Sequence, residues 1–127
     1  MDWKYNFQDE NILEVNCYNV FTTDDLSTMI EEFISDSRWT PDKNIIMDFR
    51  ELNLENLSLD ELYLSLDIHR QFDNKIFGKV AVVHKSYSGY GISSLYEEIS
   101  RGRINSKFAT FISYEDAVKW INEDDAF

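Results

Sequence analysis

The stretch Phe77-Gly-Lys-Val-Ala-Val-Val-His-Lys-Ser-Tyr-Ser-Gly-Tyr-Gly-Ile-Ser-Ser-Leu-Tyr-Glu-Glu-Ile99 constrains this chain more than any other. Residues 79–84 are β-branched and almost wholly apolar, the pattern of a central strand buried on both faces. Serines and glycines follow, then a helical spacing of apolar residues. A strand of this kind needs helices packed on its sheet, and the crevice at its C-terminal end is where such sheets hold ligands.

The flanking segments extend the pattern. Residues 3–7 and 12–18 largely alternate and are separated by Gln8-Asp-Glu-Asn11, which predicts an antiparallel hairpin. Thr22 or Thr23 caps a helix in which Leu26, Met29, Ile30 and Phe33 recur at helical spacing, ending near Asp36. Asn44-Ile-Ile-Met-Asp-Phe-Arg50 reads as a second buried strand. Ser58-Leu-Asp-Glu61 is a capping box opening a helix over about 59–73. That helix has two apolar arcs: Leu59, Leu62, Tyr63 and Leu66, then Leu64, Ile68 and Phe72 with Leu57 just ahead. One arc faces the sheet. The second calls for another helix, a partner chain or an apolar ligand.

After the strand at 77–84, a helix over about 90–101 is expected to bury Ile92, Leu95, Tyr96 and Ile99, with Gly102 as its C-terminal cap. Residues 107–112 form the last strand. Ser113 caps a final helix with Tyr114, Ala117, Val118 and Ile121 inward. The order is ββαβαβαβα, a single α/β domain over 1–127 with a four- to five-stranded mixed sheet and about four helices.

This order resembles the SpoIIAA-like family of the STAS/SEC14-like superfamily. The resemblance is carried by Asn44 to Leu52 followed by a helix, by Gly78-Lys-Val-Ala-Val-Val-His84, and by Phe108-Ala-Thr-Phe-Ile-Ser-Tyr-Glu-Asp-Ala-Val-Lys-Trp-Ile121. It implies a small sheet with helices and, from the wider superfamily, two kinds of function. Anti-sigma-factor antagonists present a phosphorylatable serine at the start of the helix that follows the third strand, a position that falls close to Ser58 here. Their Asp-Ser-Ser-Gly-like motif is absent, since this chain has Glu55-Asn-Leu-Ser-Leu59. SEC14-like members, much longer, hold lipids in an apolar cavity.

Composition narrows the partners. Of 127 residues, 43% are apolar, enough for a folded core. The net charge of −12 argues against nucleic acid or an anionic membrane as main partner. Residues 1–74 hold 17 acidic against 5 basic side chains, whereas residues 75–122 hold 7 basic against 4 acidic. Such a half could mark an anion pocket or a self-complementary surface; the plainer reading is that acidic residues keep exposed helices soluble. No apolar run is long enough to span a membrane, and Met1-Asp2-Trp3-Lys4 does not read as a signal peptide. With Cys17 as the only cysteine, a core thiol in a cytoplasmic protein is expected.

Candidate ligand groups are Arg50, His84, Lys85, Ser86, Ser88 and Gly89, where the serine hydroxyls, a lysine and free helix N–H groups suit an anion. The turn matches neither phosphate-loop nor dinucleotide-binding glycine spacing. The Asp48–Arg50 pair reads first as part of the frame. Candidate interface residues are Leu57, Leu64, Ile68 and Phe72, in a homodimer or with another protein. His84 has no marked nucleophile beside it in sequence, and His69 reads as a half-exposed packing residue. Two histidines make no metal site, so no catalytic residue, cofactor or metal is expected. The expected function is a non-catalytic interaction or regulatory module; the alternative is a binder of a small anion or lipid at the strand ends.

Overall fold

The computed structural model describes residues 1–55 and 57–123; Asn56 and the end of the acidic tail, 124–127, lie outside the described residues. The order of elements is β1 (Asp2–Phe7), β2 (Ile12–Val20), α1 (Thr23–Ile34), β3 (Asn44–Asn53), α2 (Leu59–Gln71), β4 (Lys79–Val83), α3 (Tyr87–Ser100), β5 (Lys107–Phe111) and α4 (Tyr114–Ile121). The strands form one sheet in the order β1-β2-β3-β4-β5. β1 and β2 are antiparallel, and the remaining pairs are parallel.

Strand alternation distributes the helices. Leu13, Val15 and Cys17 of β2, Ile45 and Met47 of β3, and Val80 and Val82 of β4 point to one face, where Met29, Ile30 and Phe33 of α1 and Ile68 of α2 meet them. Leu62 and Leu66 of α2 join Tyr96 of α3 against Phe108 of β5. The alternate positions Ile12, Ile46, Ala81 and Val83 point to the opposite face, which Ala117 and Ile121 of α4 cover. Three helices therefore share one face and an eight-residue helix serves the other.

The helix starts are local. Thr22, Ser58, Ser86 and Ser113 each accept a backbone N–H three residues on, and Ser58 and Glu61 complete the reciprocal capping box. Gly102 takes φ 77° just past α3, where the chain must leave the helix in a left-handed conformation. Lys79, at the head of the central strand, is buried and donates to the Trp120 and Glu123 carbonyl oxygens at 2.9 and 2.8 Å. An ammonium there adds a charged donor to carbonyls at the end of α4, where a cation is favoured.

Several expectations need correction. α3 begins at Tyr87, not near 90, because Ser86 caps it; Ser88-Gly-Tyr-Gly91 lies inside the helix and is no turn. Leu95, expected inside, is 45% exposed. The arcs of α2 divide differently as well. Ile68 is in the main core and Phe72 packs against it, while Leu57 packs on the α2–α3 cluster. Leu59, Tyr63 and Leu64 are the exposed large apolar residues of α2. At 100° per residue, Leu59 and Tyr63 lie on one flank of the buried arc and Leu64 on the other. The set Leu57, Leu64, Ile68 and Phe72 is thus not a continuous open surface, since the sheet and α3 already take up its inner members.

Candidate functional site

An apolar cavity of about 100 Å³, partly open to solvent, lies on the helical face between the sheet and α1, α2 and α3. Its lining runs from Ile45 and Val80 near the start of the strands to Phe49 in the middle of β3, and includes Ile30 of α1 and Leu54. Among the described residues no Asp, Glu, Lys or Arg lines it. Four polar side chains do: Ser65 and His69, one turn apart on α2, and Ser93 and Tyr96, one turn apart on α3. The cavity is apolar except along the seam where these two helices meet.

Each polar group of the seam has a protein partner. Ser93 Oγ lies 2.6 Å from His84 Nε2, and Ser65 Oγ donates to the Glu61 carbonyl oxygen at 2.8 Å. His69 is buried, not half-exposed: Nδ1 lies 3.2 Å from the Tyr96 hydroxyl and Nε2 3.1 Å from Ser106 Oγ. Burial pushes the His84 pKa down to about 4 and lowers that of His69. Both rings are neutral near pH 7, with one nitrogen donating and the other accepting. Burial also pushes the Tyr96 phenol up.

The strand-end groups do not converge on one point. His84 continues β4 inward, its N–H donating to the Phe111 carbonyl at 2.9 Å and its ring meeting Phe49 edge-on at 5.7 Å. Gly89 presses on that ring, and a Cβ there would fall 2.7 Å from Nδ1. Lys85 is exposed and 3.9 Å from Glu51. Ser86 accepts the Gly89 N–H and lies 3.1 Å from the Ser88 hydroxyl.

Arg50 sits on the other face of the sheet. Between Asn16 and Tyr18 of β2 the pairing jumps from Asp48 to Glu51, so β3 bulges by one residue. Asp48 answers the bulge: one oxygen accepts the Arg50 backbone N–H at 3.1 Å, and both oxygens accept its guanidinium, at 2.9 and 2.8 Å. Asn16 adds a donor at 3.1 Å, and Arg50 lies over the Tyr114 ring. Burial works against the Asp48 carboxylate, but Arg50 outweighs it and its pKa falls. Burial and a hydrogen bond to Glu14 push the Tyr114 phenol up to about 12. The ligand set therefore divides, with Arg50 behind the sheet, His84 within the core, and Lys85, Ser86 and Ser88 at the surface.

Sequence reasoning missed Ser65, Ser93 and Tyr96 as cavity groups. The signal was present as spacing: Ser93, Tyr96 and Ser100 recur along the buried side of α3 at steps of three and four. Cys17 is a buried core thiol, pushed up to about 12 chiefly by burial. No helix among the described residues is long and apolar enough to cross a membrane.

No protein-family model matches the sequence, and no curated protein does. Among solved structures, an uncharacterized protein from the DUF3478 family with a SpoIIAA-like fold, from Shewanella loihica PV-4, is similar over 94% of this chain and 92% of its own. The TM-score is 0.61 and the sequence identity 15%, a likeness that carries architecture alone. With its antiparallel hairpin, parallel strands and four helices, the chain has a SpoIIAA-like fold.

Proposed function

We propose that this protein is a non-catalytic binding module whose site is the apolar cavity between the sheet and α1–α3. The carrying observation is the cavity itself: about 100 Å³ lined almost entirely by apolar side chains. Close-packed interiors hold few voids larger than a water. A fitting molecule would remove the apolar lining from water, which is favourable by roughly 25 cal/mol for each Å² of apolar surface buried. The volume limits the ligand, because drug-sized pockets start at about 300 Å³ and an apolar cavity of about 150 Å³ takes benzene. A compact apolar molecule or the tip of an alkyl chain suits the space, and a whole lipid does not.

The non-catalytic part rests on the Ser93–His84 pair. Ser93 stands in the second turn of α3, where its N–H belongs to the helix ladder and cannot serve a developing oxyanion. The anion reading has less support, because Ser86 is occupied as a cap, Lys85 faces Glu51, and His84 is neutral near pH 7.

The test is a titration of the ¹⁵N-labelled protein with benzene and with xenon under pressure. Saturable shifts at the amides of Ile30, Met47, Val82 and Ser93 are expected; their absence with both probes overturns the reading. Self-association is a second reading, favoured by exposed Leu59, Tyr63 and Leu64 on α2. Light scattering after size-exclusion chromatography decides it: a monomer at high micromolar concentration ends that reading.

A further inference from the structure

Resting on that reading, the seam between α2 and α3 specifies what kind of molecule enters. The cavity has a greasy side, made by the sheet and α1, and a polar side with Ser65 and Ser93 on its wall. Ser65 gives its proton to the Glu61 carbonyl, so what it can still offer a ligand is a lone pair. Ser93 shares one hydrogen bond with His84 Nε2. Whichever atom donates in that bond, the hydroxyl keeps further capacity: a lone pair if Ser93 donates, its proton if His84 does. His69 and Tyr96 also line the cavity, but both His69 nitrogens are taken, Nδ1 by the Tyr96 hydroxyl and Nε2 by Ser106 Oγ.

Charge is excluded as firmly as polarity is admitted. No cationic side chain lines the cavity among the described residues. Arg50 is across the sheet against Asp48, Lys79 is occupied by the carbonyls at the end of α4, and Lys85 is exposed beside Glu51. A carboxylate or phosphate placed here would shed its water with no opposite charge to replace it, an unfavourable transfer of several kcal/mol. A hydroxyl or carbonyl loses far less, and one hydrogen bond compensates it.

We propose that the cavity selects a compact, uncharged molecule bearing a single hydroxyl or carbonyl group, its apolar body against the sheet and its polar atom at the Ser65–Ser93 seam. This differs from both an anion site and a fatty-acid site, since each of those carries a negative head.

Benzene, phenol and benzoate test it on the full chain at pH 7.5, because they share one ring and differ in the head. Dissociation constants come from the same amide shifts. Phenol is expected to bind about tenfold more tightly than benzene, the equivalent of one net hydrogen bond, and benzoate not to bind at millimolar concentration. Ser65→Ala and Ser93→Ala together should bring phenol back to the benzene value; the comparison on the unmodified protein decides the matter if that variant does not fold. Equal binding of benzene and phenol overturns the polar selection and leaves the cavity reading standing. Benzoate binding as tightly as phenol overturns the exclusion of charge. Failure of all three while xenon still binds overturns this proposal alone, and failure of xenon as well overturns the cavity reading with it.

Discussion

His84 Nε2 and Ser93 Oγ meet at 2.6 Å with both side chains buried, joining the residue that follows β4 to the second turn of α3. Removing one partner leaves the other buried without its bond, which costs about 1–3 kcal/mol. Ser93→Ala should therefore lower unfolding stability by that amount in urea denaturation. His84→Phe with Ser93→Ala should cost less than the sum of the single variants, because together they remove both orphaned groups.

Two glycines of α3 should respond oppositely to alanine. At Gly89 a Cβ would meet the His84 ring at 2.7 Å, whereas at Gly91 nothing lies within 4 Å. Alanine in a helix is favoured over glycine by about 1 kcal/mol. Gly91→Ala should raise the midpoint of thermal unfolding by a few degrees, and Gly89→Ala should lower it and shift the His84 ring resonances.

Stability should fall with acid well before the carboxylates titrate. His84 has a folded pKa of about 4 against an ordinary value of 6.5, so between those values the unfolded chain binds the extra proton. Its contribution is complete above pH 6.5 and is lost as the pH falls toward 4, by roughly 3 kcal/mol in total. His69 acts in the same direction. Urea midpoints measured from pH 8 to 4 should decline through this window, and His84→Gln should flatten most of the slope.

The Asp48–Arg50 pair should be structural. Asp48 is 9% exposed and accepts three bonds from Arg50, whose side chain is 43% exposed. Partial exposure places its worth at the low end for charged hydrogen bonds, about 1.5 kcal/mol. Arg50→Ala should cost that much in chemical denaturation while leaving benzene binding unchanged, because the pair and the cavity lie on opposite faces of the sheet.

Ser58 should behave as a cap. Its hydroxyl accepts the Glu61 N–H at 3.2 Å and lies 3.1 Å from Glu61 Oε1. Ser58→Ala should cost about 1 kcal/mol. Ser58→Asp keeps a good cap but places like charges together, so Glu61→Gln should restore stability to that variant. Calorimetry of the three proteins checks the order.

Much of the architecture is written in short-range pattern. The alternation of 3–7 and 12–18, the run at 79–84, and the caps Thr22, Ser58 and Ser113 involve close neighbours in sequence, and those elements lie where the spacing placed them. The start of α3 was misjudged because glycines at 89 and 91 read as a turn. Only the proximity of His84 explains why one of them stands inside a helix.

What the sequence determined by itself is the series of elements and a buried, mostly parallel sheet, because periodicity and capping act locally. The tertiary structure alone decided what each polar residue touches. His69 meets Ser106 across 37 residues, and Arg50 within β3 and His84 just past β4 point to opposite faces of one sheet. The cavity is likewise a property of the assembled layers, the volume left where α1, α2 and α3 lie over β3 and β4. Whether side chains of three helices fill a shared space depends on how those helices are placed together, and no local run of residues encodes that sum.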